Sequence, residues 1–300
     1  MAENFFYGGQ AVIEGVMMRG QTSLAIAVRK ANGEIITKEE KISSITQRYP
    51  FLKWPLIRGS VALIEAMVLG IKALNYSASQ FAEEEEEQLG PKEIALTFVM
   101  SFLLTVGLFI VLPAFVIRQI QAHIASNILL NAVEGLIKIT FFIAYVAAIS
   151  LMKDIRRVFQ YHGAEHKAIN CYEAGDPLTI EAVRAHSVIH KRCGTSFIIF
   201  VLLVSIFVFS FFGRPPFLLR VLLHLALLPV VAGISYEIIR LAGRKESPWI
   251  IDVLSRPGMW TQRLTTREPD DEQIEVAIRS LRAVLLSDGK LSPESRLVVP

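Results

Sequence analysis

The chain has 300 residues, 52% of them apolar, with a mean hydropathy of +0.44. The apolar residues gather into long runs instead of spreading at the spacing of a soluble core, which makes this a polytopic membrane protein of mainly α class. A formal net charge of +3 is too small to argue for nucleic acid, and two cysteines, Cys171 and Cys193, exclude a disulfide-stapled secreted scaffold.

Residues 1–55 read as a small β-containing unit. Leu24, Ile26 and Val28 alternate, Asn32-Gly33 supplies a hairpin turn, and Ile35-Ile36 opens the return strand. Met1 to Gln10 has no apolar core, so no secretory signal is expected there. The glycine-rich stretch Gly8 to Gly20 lacks Gly-Lys-Ser/Thr and is therefore no phosphate-cradling loop. Its glycines permit tight turns or close backbone approach, which would bring Glu14 and Arg19 towards a neighbouring polar site.

Residues 56–80 are helical in pattern. Arg58, Glu65 and Lys72 recur every seven residues on a narrow stripe, surrounded by Val61, Leu63, Ile64, Met67, Val68, Leu69 and Ile71. An amphipathic helix lying in the membrane interface or against the spans is expected. Glu83 to Glu87 with Gly90-Pro91 then reads as a solvated connector.

Four runs approach the ~20 residues needed to cross a hydrocarbon core. They are Ile94 to Ile117 and Ile128 to Met152, within residues 94–152, and Thr195 to Phe212 and Phe217 to Leu241, within residues 195–241. The segment between the second and third spans holds seven Lys or Arg, and the stretch after Leu241, from Arg244 to Arg296, holds nine. The opposite connections offer little beyond Arg118, Arg214 and Arg220, so the positive-inside bias puts both termini and the central loop in the cytosol. Glu134 and Lys138, four apart inside the second span, read as a mutually neutralising structural pair, and His123 and His224 as structural residues near the other membrane face. Within residues 242–300, Ile274, Ala277, Ile278, Leu281, Val284 and Leu285 predict an amphipathic helix after Asp270, ending near Asp288-Gly289.

The chemistry concentrates in the loop at residues 153–194, which holds four of the six histidines. In His162-Gly163-Ala164-Glu165-His166, helical rotation puts both imidazoles and the carboxylate within about 100° of one another. His-x-x-Glu-His is the inverted order of the zinc-protease helix, in which two histidines hold the metal and the glutamate serves as general base. Gly175-Asp176-Pro177 should end that helix, and a second should run from Thr179 to about Lys191. His186 and His190, again four apart, with Cys193 would then face the first pair around one divalent metal, zinc by donor type. Four protein ligands would make a closed structural site and three an open catalytic one. Cys171 should face away. Glu173 lies about 10 Å along the helix from His166 and suits a second metal or a substrate cation, while Tyr236 and Glu237 could complete the pocket from the fourth span.

Several strings together carry a family resemblance: Gly8 to Gly20, Trp54-Pro55 with Arg58-Gly59, Tyr161 to Lys167, and Arg192-Cys193-Gly194-Thr195-Ser196-Phe197. From about Tyr7 to about Leu286 the chain resembles the YqhQ-like family of bacterial membrane proteins, described as predicted metal-dependent enzymes. The resemblance implies a multi-pass protein of the bacterial cytoplasmic membrane.

Two functions remain open at this level. In one, metal-activated water with Glu165 as general base hydrolyses a peptide, amide or ester in or near the bilayer. In the other, the metal staples the central loop of a non-catalytic factor that contacts another membrane complex, such as protein translocation or insertion machinery. A metal transporter fits less well, because the spans are poor in carboxylates and histidines.

Overall fold

The computed structural model describes residues 7–81, 90–243 and 247–291. The acidic connector Glu83 to Glu87 and the basic residues Arg244, Lys245 and Arg296 fall outside them. Among the described residues the protein is mainly helical, with four apolar helices long enough to cross a membrane and one small antiparallel sheet.

Strands β1 (Gly8–Val12), β2 (Gly15–Arg19), β3 (Ser23–Arg29) and β4 (Ile35–Lys41) pair in sequence order. The glycine-rich stretch is thus a hairpin, turned by Ile13 and by Glu14 in left-handed backbone at φ 49°. Gly33, at φ 86°, turns the β3–β4 hairpin as Asn32-Gly33 predicts. Period-two alternation splits the buried side chains between two faces. Val12, Met17, Leu24, Ile26 and Val28 form one cluster with Ala73, whereas Val16, Met18, Ala25 and Ala27 join Tyr161, Ala164, Ile274 and Leu281. A sheet covered on both sides explains why β3 is buried along nearly its whole length.

After the short α1 (Ile45–Arg48), α2 (Ile57–Phe81) covers the first face. Its other end lies on the fourth span, where Ser60 Oγ donates to Pro229 O at 2.8 Å and Arg58 pairs with Glu237. The helix α2 therefore bridges the sheet and the spans.

Helices α3 (Pro91–Val106) and α4 (Leu112–Ile120), joined by a π turn at Gly107–Val111, make the first apolar rod, Ala95–His123. The second and its continuation are α5 (Asn127–Ile149) and α6 (Lys153–Ala174). A short α7 (Ile180–Ala185) precedes α8 (Gly194–Phe209) and α9 (Phe217–Ala242), which complete the four rods. Helix α10 (Trp249–Thr265) packs on α8, and α11 (Asp271–Ser287) lies with α6 on the second face of the sheet. The sheet, α6, α7 and α11 thus gather at the bundle end where α5 stops and α8 starts.

Asp270 and Gln273 exchange hydrogen bonds in a capping box that starts α11. At its other end Asp288 accepts from Gln21 N at 2.7 Å, Thr22 Oγ1 at 2.7 Å and Ser23 Oγ at 3.2 Å. Burial opposes ionisation of this carboxyl, but the bonds from Thr22, Gln21 and Ser23 outweigh it and hold the pKa below the usual aspartate value. Asp288→Ala should cost about 1–2 kcal/mol at neutral pH. A depressed folded-state pKa contributes stability that is complete above the unfolded value of about 3.9 and is lost as pH falls through the folded one. The thermal midpoints of wild type and variant should therefore differ at pH 7 and converge in acid.

Candidate metal centre

Helix α6 carries His162 and His166 one turn apart, with ring centroids separated by 4.4 Å. Each ring is oriented by a backbone carbonyl: His162 Nδ1 donates to Thr265 O at 2.8 Å and His166 Nδ1 to Val188 O at 2.6 Å. A carbonyl can only accept, so Nδ1 carries the proton in both rings and each Nε2 presents a lone pair. Such outer hydrogen bonds fix tautomer and direction in metal-ligating histidines.

The third donor arrives from another segment. Cys193 is the N-cap of α8, its sulfur accepting from Thr195 N, and Sγ stands 3.3 Å from His162 Nε2. The ligand atoms of His162, His166 and Cys193 all lie within 4.8 Å of one another. A tetrahedral metal held at the usual zinc bond lengths would separate such a nitrogen and sulfur by roughly 3.5 Å. The N-terminus of α8 also turns the positive end of its dipole towards the sulfur, which suits an anionic ligand. Two neutral imidazoles and a thiolate are a donor set for zinc or another borderline-soft divalent ion.

His186 is not part of this group, contrary to the sequence reading. Helix α7 stops at Ala185 instead of continuing to Lys191, and His186 Nε2 instead contacts Asp176 Oδ2 at 3.0 Å. The cause is hydrogen bonding from α6. Lys167 Nζ takes the carbonyls of Arg184 and His186, Asn170 Nδ2 takes those of Ser187 and Ile189, and His166 takes that of Val188. With those carbonyls satisfied by side chains, residues 186–193 have no need of a helical ladder.

His190 comes near without joining. Its ring lies 5.6 Å from that of His166, but Nε2 is 3.5 Å from Glu173 Oε2. Burial, with Arg192 and His166, lowers its pKa against the pull of Glu173. Glu173 is also paired with Arg192; burial opposes its ionisation, yet the bonds from His190 and Arg192 bring its pKa down to about 2. It is thus a structural anion among the described residues, in place of the second-metal ligand its spacing suggested. Gln262 locks His190 from α10, accepting from its N–H at 2.9 Å and donating to its carbonyl at 2.8 Å.

Glu165 is buried between α6 and β1, where the Gly9 N–H donates to it. A Cβ on Gly9 would come within 2.9 Å of Glu165 Cγ, so this is the close backbone approach that the glycine-rich stretch promised. Burial raises the Glu165 pKa, and the nearby His162 opposes the rise. Glu14 lies one turn away along α6, bound to Arg157 and to the Tyr161 hydroxyl at 3.1 Å. Arg19 turns instead to Glu65 at 3.2 Å, Tyr236 packs against Gly59, and Glu237 pairs with Arg58. Those three brace α2 and take no part in the centre. Cys171, as expected, faces away, donating to Pro177 O in the core.

The family described as "Protein of unknown function (DUF1385)" matches residues 54–287. The chain belongs to this family. The chain is also similar to the uncharacterized protein YqhQ of Bacillus subtilis (strain 168), 38% identical over 314 residues, covering 97% of each chain. No solved structure matches.

Proposed function

We propose that the protein is a metal-dependent membrane hydrolase whose centre binds one divalent ion, zinc by donor type, through His162, His166 and Cys193. The observation that supports this is the convergence of three ligand atoms within 4.8 Å, with both imidazoles turned to offer Nε2. Three protein ligands leave a fourth position for substrate or water, as in catalytic zinc sites. A bound ion of this kind supplies Lewis acidity and makes water acidic at neutral pH. Glu165, one residue from His166 and sheltered by Gly9, is the group assigned to accept and return the proton. The substrate is a peptide, amide or ester presented at the membrane surface. The centre, the sheet and both termini are assigned to the cytosolic side of a bacterial cytoplasmic membrane by the basic residues around them.

A second reading has its own support. His162 and His166 are tied to Thr265 and Val188, and Cys193 caps α8, so one ion would clamp three segments. In that case the protein is a scaffold for another membrane complex. The test uses p-nitrophenyl acetate as a generic ester with detergent-purified, zinc-loaded protein. Metal-dependent hydrolysis that falls by about 100-fold or more in Glu165→Gln, with metal content unchanged, is the expected result for a general base. Equal rates in wild type, Glu165→Gln and metal-stripped protein would replace the enzyme by the scaffold.

A further inference from the structure

Helix α10 is inside out for a helix on a water-soluble surface. Its buried residues, Ser255, Gly258, Thr261, Gln262 and Thr265, are all small or polar. Trp249 and Trp260, in contrast, are 73% and 71% exposed, with Ile250, Val253 and Leu254 exposed beside them. A solvent-facing helix buries its apolar stripe and shows its polar one. At 100° per residue the two tryptophans, Val253, Leu264, Ile250 and Leu254 share one sector of about 140°, while Asp252, Arg256 and Arg263 lie within about 60° of Trp249 on its other side.

Four contacts fix how the helix lies. Gly258 and Thr265, about 10 Å apart along α10, both meet the first turn of α8. A Cβ on Gly258 would stand 2.8 Å from Ser196 Cα, and Thr265 Oγ1 is 3.3 Å from Thr195 Oγ1. The helix therefore crosses the end of that apolar rod instead of running along it. On one flank Leu264 packs with Phe142 and Val146 of α5 and with Ile199, one turn further into α8. On the other flank Asp252 accepts from Lys191 Nζ at 3.2 Å, in the polar loop that precedes the rod. The apolar flank thus looks along the spans, the charged flank looks away from them, and both tryptophans point outward between the two.

Tryptophan favours the boundary between acyl chains and headgroups, because its ring is apolar and its N–H polar. Arg256 and Arg263, two turns apart on the charged flank, are exposed and have no ion pair among the described residues. We propose that α10 lies in the membrane surface and binds anionic phospholipid there, with Trp249, Val253 and Trp260 in the acyl-headgroup boundary and Arg256 and Arg263 on lipid phosphates. Through Leu264 the apolar sector is continuous with the spans, so the bilayer that covers them covers it too. The assignment holds whatever the metal centre does, but it sets that centre at headgroup level, because Thr265 and Gln262 of the same helix hold His162 and His190.

The experiment reads tryptophan emission from the full chain carrying Trp54→Phe, reconstituted in phosphatidylcholine vesicles with a minor fraction of phosphatidylglycerol. With Trp54 replaced, Trp249 and Trp260 are the emitters left. Bromine placed high on the acyl chains of both lipids should quench roughly half or more of the emission. When one lipid alone carries bromine, phosphatidylglycerol should quench about fivefold more effectively per molecule than phosphatidylcholine. That excess should vanish when Arg256→Gln and Arg263→Gln are combined. Emission quenched by aqueous acrylamide and not by bromine would put the face in water, and emission reached by neither would mean that protein, such as a second copy of the chain, covers it. Either result overturns the proposal, as do equal quenching by the two lipids and an excess that survives loss of both arginines.

Discussion

Alanine at His166, or serine at Cys193, is expected to weaken binding of a divalent ion by more than about 100-fold, whereas His186→Ala should leave it unchanged. The reasoning is geometric. His166 and Cys193 present donor atoms to a common point, and His166 is only 1% exposed, held in line by Val188 O. Loss of an outer hydrogen bond alone commonly costs 10–100-fold in metal affinity, so loss of a ligand must cost more. His186 points at Asp176 in another direction. His190→Ala should fall between, retaining the ion but loosening the Glu173 and Arg192 contacts beside it. Zinc content after dialysis against a graded chelator separates the four variants. Equal loss in all of them would mean that the loop binds metal through a different set.

Gly163→Ala should be the most damaging single methyl in the protein. A Cβ there would stand 2.0 Å from Arg267 O, a backbone atom with little freedom because Arg267 N is itself bonded to Phe159 O at 2.9 Å. Helix α6 and the segment after α10 approach so closely that only glycine fits between them. Overpacking of this kind costs about 1–3 kcal/mol. It should also reach the centre, because pushing Thr265 away from α6 removes the carbonyl that orients His162. A fall in thermal midpoint is therefore expected together with roughly 10–100-fold weaker metal binding. Gly194→Ala is the control: it is next to Cys193 in sequence, yet nothing lies within 4 Å of its added Cβ. A Gly163→Ala protein with wild-type midpoint and metal affinity would show that the contact yields.

The spans were legible because a bilayer imposes length and composition on the chain directly. The β3–β4 turn at Asn32-Gly33 and the α11 cap at Asp270 were legible for a related reason: a few local residues fix each conformation. The centre was legible only in part. His162 and His166 share a helix, so periodicity alone sets their separation. His186 was misplaced because periodicity extends α7 for as long as the pattern allows, while the α6 side chains Lys167 and Asn170 stop it by capturing carbonyls from across the loop. No local signal carries that information. Helix α10 went unread because Pro257-Gly258 interrupts its amphipathic pattern in mid-helix. With it went Gln262 and Thr265, which position His190 and His162. In the same way, Glu134 and Lys138 announce a pair through their spacing of four, but Arg220 and His224 join it from a helix some eighty residues later.

X-ray absorption at the zinc edge of the purified, zinc-loaded protein examines the central claim most directly. The account predicts four-coordinate zinc with one sulfur at about 2.3 Å, two imidazole nitrogens at about 2.0–2.1 Å and one light exchangeable ligand, the sulfur disappearing in Cys193→Ser. A shell of oxygens without sulfur, or no retained zinc at all, would contradict it.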